Sequence, residues 1–228
     1  MHQPEPKIFP SRRLAGICLF VLAIIMPGSL PVAEDIILDD GKLQQYEDKY
    51  GSSAVERLRE WQTLMHSADI NSKSVEDKLQ QVNDFFNQVR FIDDIRHWGE
   101  MDYWATPVEL LATNGGDCED FAIAKYLTLK QLGVPTEKLR ITYVKALRIN
   151  QAHMVLTFYE TPASEPLVLD NLEPEVLPAS KRDDLVPVYS FNGDNLWLSK
   201  ELRGRGQLVG GSERIKRWKE LQQRMSSQ

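Results

Sequence analysis

The stretch Gly115-Gly116-Asp117-Cys118-Glu119-Asp120-Phe121 sets a cysteine between carboxylates, just after two glycines and just before an apolar run. A thiol becomes a nucleophile when a base takes its proton and a third group holds that base. Three histidines lie beyond the N-terminal leader described below. His66 falls in an amphipathic pattern, His97 in the aromatic segment HWGEMDYW, and His153 opens the run AHMVLTFY. Asp170 follows in LVLDNL. If the strands around 153–159 and 166–170 form an antiparallel hairpin through ETPASEP, a four-residue loop pairs Tyr159 with Ser164 and His153 with Asp170. Paired residues share a face, with Cβ atoms about 4.5–5.5 Å apart. A slip of one residue would separate the two side chains. In that register Asp170 accepts from one imidazole nitrogen and leaves the other for Cys118, a candidate Cys-His-Asp triad.

The company of Cys118 opposes this chemistry. Reactive cysteines usually sit among positive charges, whereas Asp117, Glu119 and Asp120 disfavour a thiolate. Either these acids are solvated groups that complement a helix dipole, each worth about 0.3–1 kcal/mol, or they hold a cation that reverses the local sign. Ca²⁺ suits such hard oxygen ligands. The twelve-residue EF-hand spacing is absent, and one thiol without a close histidine pair argues against zinc.

These groups need elements to hold them. SSAVERLREWQTLMH and SKSVEDKLQQVNDFFNQVRF carry apolar residues every three or four positions behind serine caps, which predicts two amphipathic helices. In TPVELLATNGG, Thr106, Pro107 and Glu109 predict a capping box and a short helix that a glycine turn ends. The next helix runs from about Cys118 to Leu132, with Gly133 and Pro135 as stop signals. Its consecutive Phe121, Ala122, Ile123 and Ala124 make it apolar nearly all round, and therefore central. LRITYVKAL, AHMVLTFY, PLVLDNL and VPVYSFNGDNLWLS then read as strands, and SERIKRWKELQQRM as a closing helix. Helices followed by an antiparallel sheet give the α+β class.

The chain has 228 residues, of which 42% are hydrophobic and 26% charged, the balance of one globular domain. Residues 1–33 stand apart: basic Lys7, Arg12 and Arg13 precede LAGICLFVLAIIM and then PGSLPVA, the layout of a secretory signal peptide. The apolar stretch is shorter than the roughly 20 residues of a spanning helix, which favours a cleaved signal over a retained anchor. The expected mature domain is 34–228. Cleavage removes three basic residues and one acid and leaves 24 Lys+Arg against 32 Asp+Glu, a formal charge of −8. An acidic exported domain has no basic face for nucleic acid. With Cys18 gone, Cys118 has no intramolecular disulfide partner.

GGDCEDFAIAKYLTLKQLGVP, AHMVLTFY, LVLDNL and LVPVYSFNGDNLW together resemble the bacterial transglutaminase-like cysteine proteinases, from about Tyr50 to Trp197. The resemblance implies a papain-like, transglutaminase-type core, with the nucleophile at the N-terminus of a central helix packed on an antiparallel sheet. It implies catalytic roles for Cys118, His153 and Asp170, and a Ca²⁺ site at Asp117, Glu119 and Asp120. It further implies a periplasmic address and a substrate, the N-terminal region of a large surface adhesin cut near a pair of alanines, so that the biofilm disperses. The implied regulator is an inner-membrane, LapD-like receptor that sequesters the protease when cyclic di-GMP occupies its cytoplasmic side. The Cys118 N–H is the natural first oxyanion donor, and Tyr103 and Trp104 are candidates for shaping the site. Two other readings stay open: acyl transfer to an amine by the same triad, as in a transglutaminase or amidase, and a periplasmic binding module in which the three residues are structural.

Overall fold

The computed structural model describes residues 38–199 and 206–226, all within the compact unit Ala33–Gln228. The leader read at residues 1–33 lies outside the described residues. Where helix signals are strong, the backbone follows them. Ser74 caps helix α4 (Val75–Phe86) by accepting the Asp77 N–H at 3.1 Å. Thr106 and Glu109 close the reciprocal box of α6 (Pro107–Thr113), at 3.2 and 2.8 Å.

Two details differ from the sequence reading. Helix α2 (Ser52–His66), followed by the short α3 (Ala68–Ser72), is preceded by Gly51 at φ 83°, and Ser52 is already helical, so no serine side chain caps it. The turn after α6 is made by Asn114 in the left-handed region, φ 51°. Asparagine tolerates that region because its short side chain bonds locally. The two glycines after it form strand β2 (Gly115–Gly116), paired in parallel with β1 (Arg90–Phe91). Helix α1 (Asp40–Tyr50) was not anticipated: only Leu43 is buried along it, so its apolar stripe is faint.

The main sheet has the order β6-β5-β4-β3-β7-β8-β9 and is antiparallel throughout. Its strands are β3 (Leu139–Ala146), β4 (Gln151–Phe158), β5 (Leu167–Leu169), β6 (Leu177–Pro178), β7 (Leu185–Phe191), β8 (Asn195–Leu198) and β9 (Gln207–Gly211). Helix α7 (Cys118–Gln131) packs on β4 and β3 and is covered on its other side by α4 and α6. Residues 120–126 of α7 are all buried, as a helix apolar all round requires. The closing helix α8 (Lys216–Met225) buries Trp218 and Leu221, with Trp218 edge-on to Tyr126 and Phe191. Among the described residues, no helix is long and apolar enough to cross a membrane.

A lysine is buried in this core. Lys125 on α7 is 1% exposed and donates to Asn83 Oδ1 at 2.8 Å and Asn87 Oδ1 at 2.7 Å. The two asparagines in turn donate to the Pro174 and Asp170 carbonyls, tying α4 to the segment after β5. Burial lowers the Lys125 pKa to about 7, against the opposing pull of Asp170 and Asp84. Its folded pKa lies below its unfolded value of 10.5, so between about pH 7 and 10.5 the unfolded chain holds the extra proton and stability rises with pH. Relative to Lys125→Met, the wild type should gain stability from pH 7.5 to 9.5 with a slope of up to about 1.4 kcal/mol per pH unit. Urea unfolding of both proteins across that range measures the difference, and parallel curves would refute it.

Candidate active site

Cys118 is the first residue of α7, and the close approach behind it explains the paired glycines. A Cβ on Gly116 would lie 2.5 Å from Asp120 Oδ2 and 2.7 Å from Leu110 Cδ1, and one on Gly115 would lie 2.6 Å from Ile92 Cδ1. With no Cβ at either glycine, the Asp120, Leu110 and Ile92 side chains fill the space where α6, the β1–β2 pair and the start of α7 converge. The Cys118 thiol donates to Glu119 Oε2 at 3.1 Å and also meets the Met154 N–H, which sets the His153–Met154 step of β4 against the helix start. Burial pushes the thiol pKa up, and the Glu119 and Asp117 carboxylates push it further.

His153 is buried, and its Nε2 lies 2.7 Å from Asp170 Oδ1. The register that brings them together is not the one expected. Strand β4 pairs with β5 as Leu156 with Leu169, Thr157 with Val168 and Phe158 with Leu167. The ladder is thus displaced by two residues, and Asp170 lies one step past the end of β5, diagonal to His153. A shift of two preserves the face, whereas a shift of one would reverse it. The longer connection through residues 159–166 absorbs the difference. The other two histidines are engaged elsewhere: His66 is exposed with Nδ1 against the Gln62 carbonyl, and His97 Nε2 meets Thr113 Oγ1 at 2.8 Å.

The acidic collar is larger than three residues. Oxygens of Asp94, Asp117 and Asp120 lie within 4.8 Å of one another, as do those of Asp94, Asp102 and Glu119. Asp94 opens the short helix α5 (Asp94–His97), and Asp102 lies in the loop after it. Neither was singled out from the sequence, because a separation of 15 or more residues from the cysteine carries no local signal. Asp94 Oδ1 and Asp117 Oδ1 are buried and have no hydrogen-bond partner among the described residues. Burial, reinforced by the neighbouring carboxylates, pushes Asp117 up to about 8 and, against the Tyr103 N–H, Asp94 up to about 6. Two orphaned buried oxygens amid like charges fit a hard divalent cation. Asp120 is committed differently. It is fully buried, with Oδ1 accepting the Ala105 N–H at 2.7 Å and Oδ2 the Asp117 N–H at 3.2 Å, so it braces the cluster from below. Tyr103 and Trp104 shape the same region: the Tyr103 N–H bonds Asp94 Oδ2, and Trp104 Nε1 donates to Asp102 Oδ1 at 3.0 Å.

A thiol at a helix start, an imidazole held by a carboxylate on the strand whose backbone meets that thiol, and an antiparallel sheet under the helix are the parts of a cysteine hydrolase of the papain and transglutaminase kind. Residues 57–198 match the bacterial transglutaminase-like cysteine proteinase (BTLCP) family, and the chain belongs to that family and is a cysteine protease. Among solved structures it is similar to LapG of Legionella pneumophila. It shares 46% identity with the EGTA-treated form, at TM-score 0.71 over 83% of this chain and 98% of that one. Against the calcium-bound form the identity is also 46%, at TM-score 0.68 over 82% and 99% of the two chains. No curated protein sequence matches significantly.

Proposed function

We propose that the chain is a periplasmic, calcium-dependent cysteine endopeptidase that cleaves the N-terminal region of a large surface adhesin near a pair of alanines, releasing the adhesin and dispersing biofilm. The observation that carries this reading is the buried His153–Asp170 pair on the strand whose Met154 N–H meets the Cys118 thiol, together with the five-carboxylate cluster, in a chain 46% identical to a LapG solved with calcium. His153, held by Asp170, takes the Cys118 proton, and the sulfur attacks the scissile carbonyl. The Cys118 N–H at the start of α7 faces the developing oxyanion. His153 then protonates the leaving amine as the thioester forms, and water releases the second product. Asp94, Asp102, Asp117 and Glu119 would hold the calcium, which would supply positive charge beside a thiol that the acids alone would suppress. The regulator is an inner-membrane, LapD-like cyclic di-GMP receptor that sequesters the protease.

The purified protein, incubated with an adhesin N-terminal fragment containing the alanine pair, should cut once near that pair. Excess EGTA should slow cleavage by at least about tenfold and added calcium should restore it. Cleavage indifferent to EGTA would remove the calcium requirement. Amine incorporation without hydrolysis would replace the endopeptidase by a transglutaminase.

A further inference from the structure

We propose that Arg182 is a positioning residue that clamps the Asp170 carboxylate and so fixes the orientation of His153, an inference that rests on the triad reading above. The Asp170 side chain is fully buried, and its two oxygens have different partners. Oδ1 accepts from His153 Nε2 at 2.7 Å and from the Leu172 N–H at 3.0 Å. Oδ2 takes Arg182 Nη2 at 2.7 Å, and Arg182 is itself only 4% exposed. The guanidinium is also held along its Nε–Nη2 edge, since Asp184 receives Arg182 Nε at 3.0 Å and Nη2, the nitrogen shared with Asp170, at 3.2 Å. A planar fork held by two carboxylates cannot pivot, so the Asp170 carboxyl plane is set by the Arg182–Asp184 pair as much as by the histidine.

This clamp answers two physical problems. Asp170 lies just beyond β5, a strand of three residues whose outer neighbour β6 has only two, so the sheet alone holds its side chain weakly. The segment after β6 turns through a short 3-10 helix at Ala179–Lys181 and returns Arg182 to the carboxylate. The second problem is charge. When the imidazole is neutral, a buried carboxylate needs another cation nearby, or it takes up a proton and stops orienting the ring. Arg182 supplies that cation. Burial raises the Asp170 pKa, but the bonds from His153, the Leu172 N–H and Arg182 together hold it well below the usual carboxylate range.

The full chain carrying Arg182→Met is compared with wild type in calcium buffer at one fixed pH. Alkylation of Cys118 by iodoacetamide is followed by mass, and cleavage of the adhesin fragment by kcat and KM. Alkylation needs no peptide, so an incorrectly chosen substrate leaves that comparison intact. Arg182→Met should lower both the alkylation rate and kcat by about 10- to 100-fold with KM within about twofold, and Arg182→Lys, which restores the charge but not the planar fork, should recover only part of the loss. Asp184→Asn loosens the Nε–Nη2 edge of the guanidinium but keeps its charge, and guards against a variant that does not fold. It should lower kcat by about 3- to 10-fold at unchanged KM. Rates within about twofold of wild type in folded Arg182→Met or Asp184→Asn protein, or a loss confined to KM, would overturn the proposal.

Discussion

Replacing Cys118 by alanine is expected to lower kcat/KM for the adhesin fragment by at least about 10⁴-fold, to the background rate. The reason lies in the division of labour at the site. The backbone N–H at the start of α7 and the carboxylate cluster survive the substitution, so peptide binding should persist while no atom remains to form the thioester. His153 and Asp170 are already hydrogen-bonded to each other and do not depend on the thiol for their arrangement. The variant should therefore capture uncut fragment with wild-type affinity. Fragment cleavage followed by mass spectrometry, with binding measured separately, tests both halves. Cleavage in the alanine variant within tenfold of wild type would exclude the thiol mechanism altogether.

Trp61→Ala is expected to cost about 3–5 kcal/mol of folding stability. Trp61 projects from α2, is fully buried, and donates its indole N–H to Thr128 Oγ1 on α7 at 2.9 Å. The alanine leaves a void between α2 and the nucleophile helix and strips a buried hydroxyl of its donor. Trp61→Phe keeps most of the volume and loses only the hydrogen bond, so it should cost about 0.5–1.5 kcal/mol. Urea unfolding of the three proteins separates cavity from hydrogen bond. A loss below about 1.5 kcal/mol for the alanine would mean that α2 repacks onto α7. Because α7 carries Cys118, the same variant should lose activity at temperatures where wild type remains folded.

The acidic collar links stability and chemistry at one point. Asp94, Asp117 and Glu119 are raised in pKa by burial, with like charges adding to the effect at Asp94 and Asp117, and the thiol is raised with them. Without a cation the helix start is therefore electrostatically mismatched to a nucleophile. Under the proposed function that mismatch makes calcium a condition of activity.

Much of this arrangement was legible along the chain, because its signals are local. The Thr106-Pro107-Glu109 box and the Ser74 cap act within a single turn of backbone, and each stands where it was read. The same holds for the runs rich in Val, Ile, Tyr and Leu that made 139–146 and 151–158 strands and the unbroken apolar run that made α7 central. Residue chemistry, an assumed hairpin register and the family resemblance pointed to Cys118, His153 and Asp170 as the candidates. Tertiary structure decided how His153 and Asp170 meet. The two-residue displacement of β5 against β4 depends on a connection whose length does not dictate its turn, so the chain settled the face and the fold settled the pairing. Asp94, Asp102, Arg182 and Lys125 enter through contacts between residues 12 to 42 positions apart, with no spacing rule between them. Burial turns such ordinary surface-type residues into parts of a site, and burial is a property that only the packed molecule has.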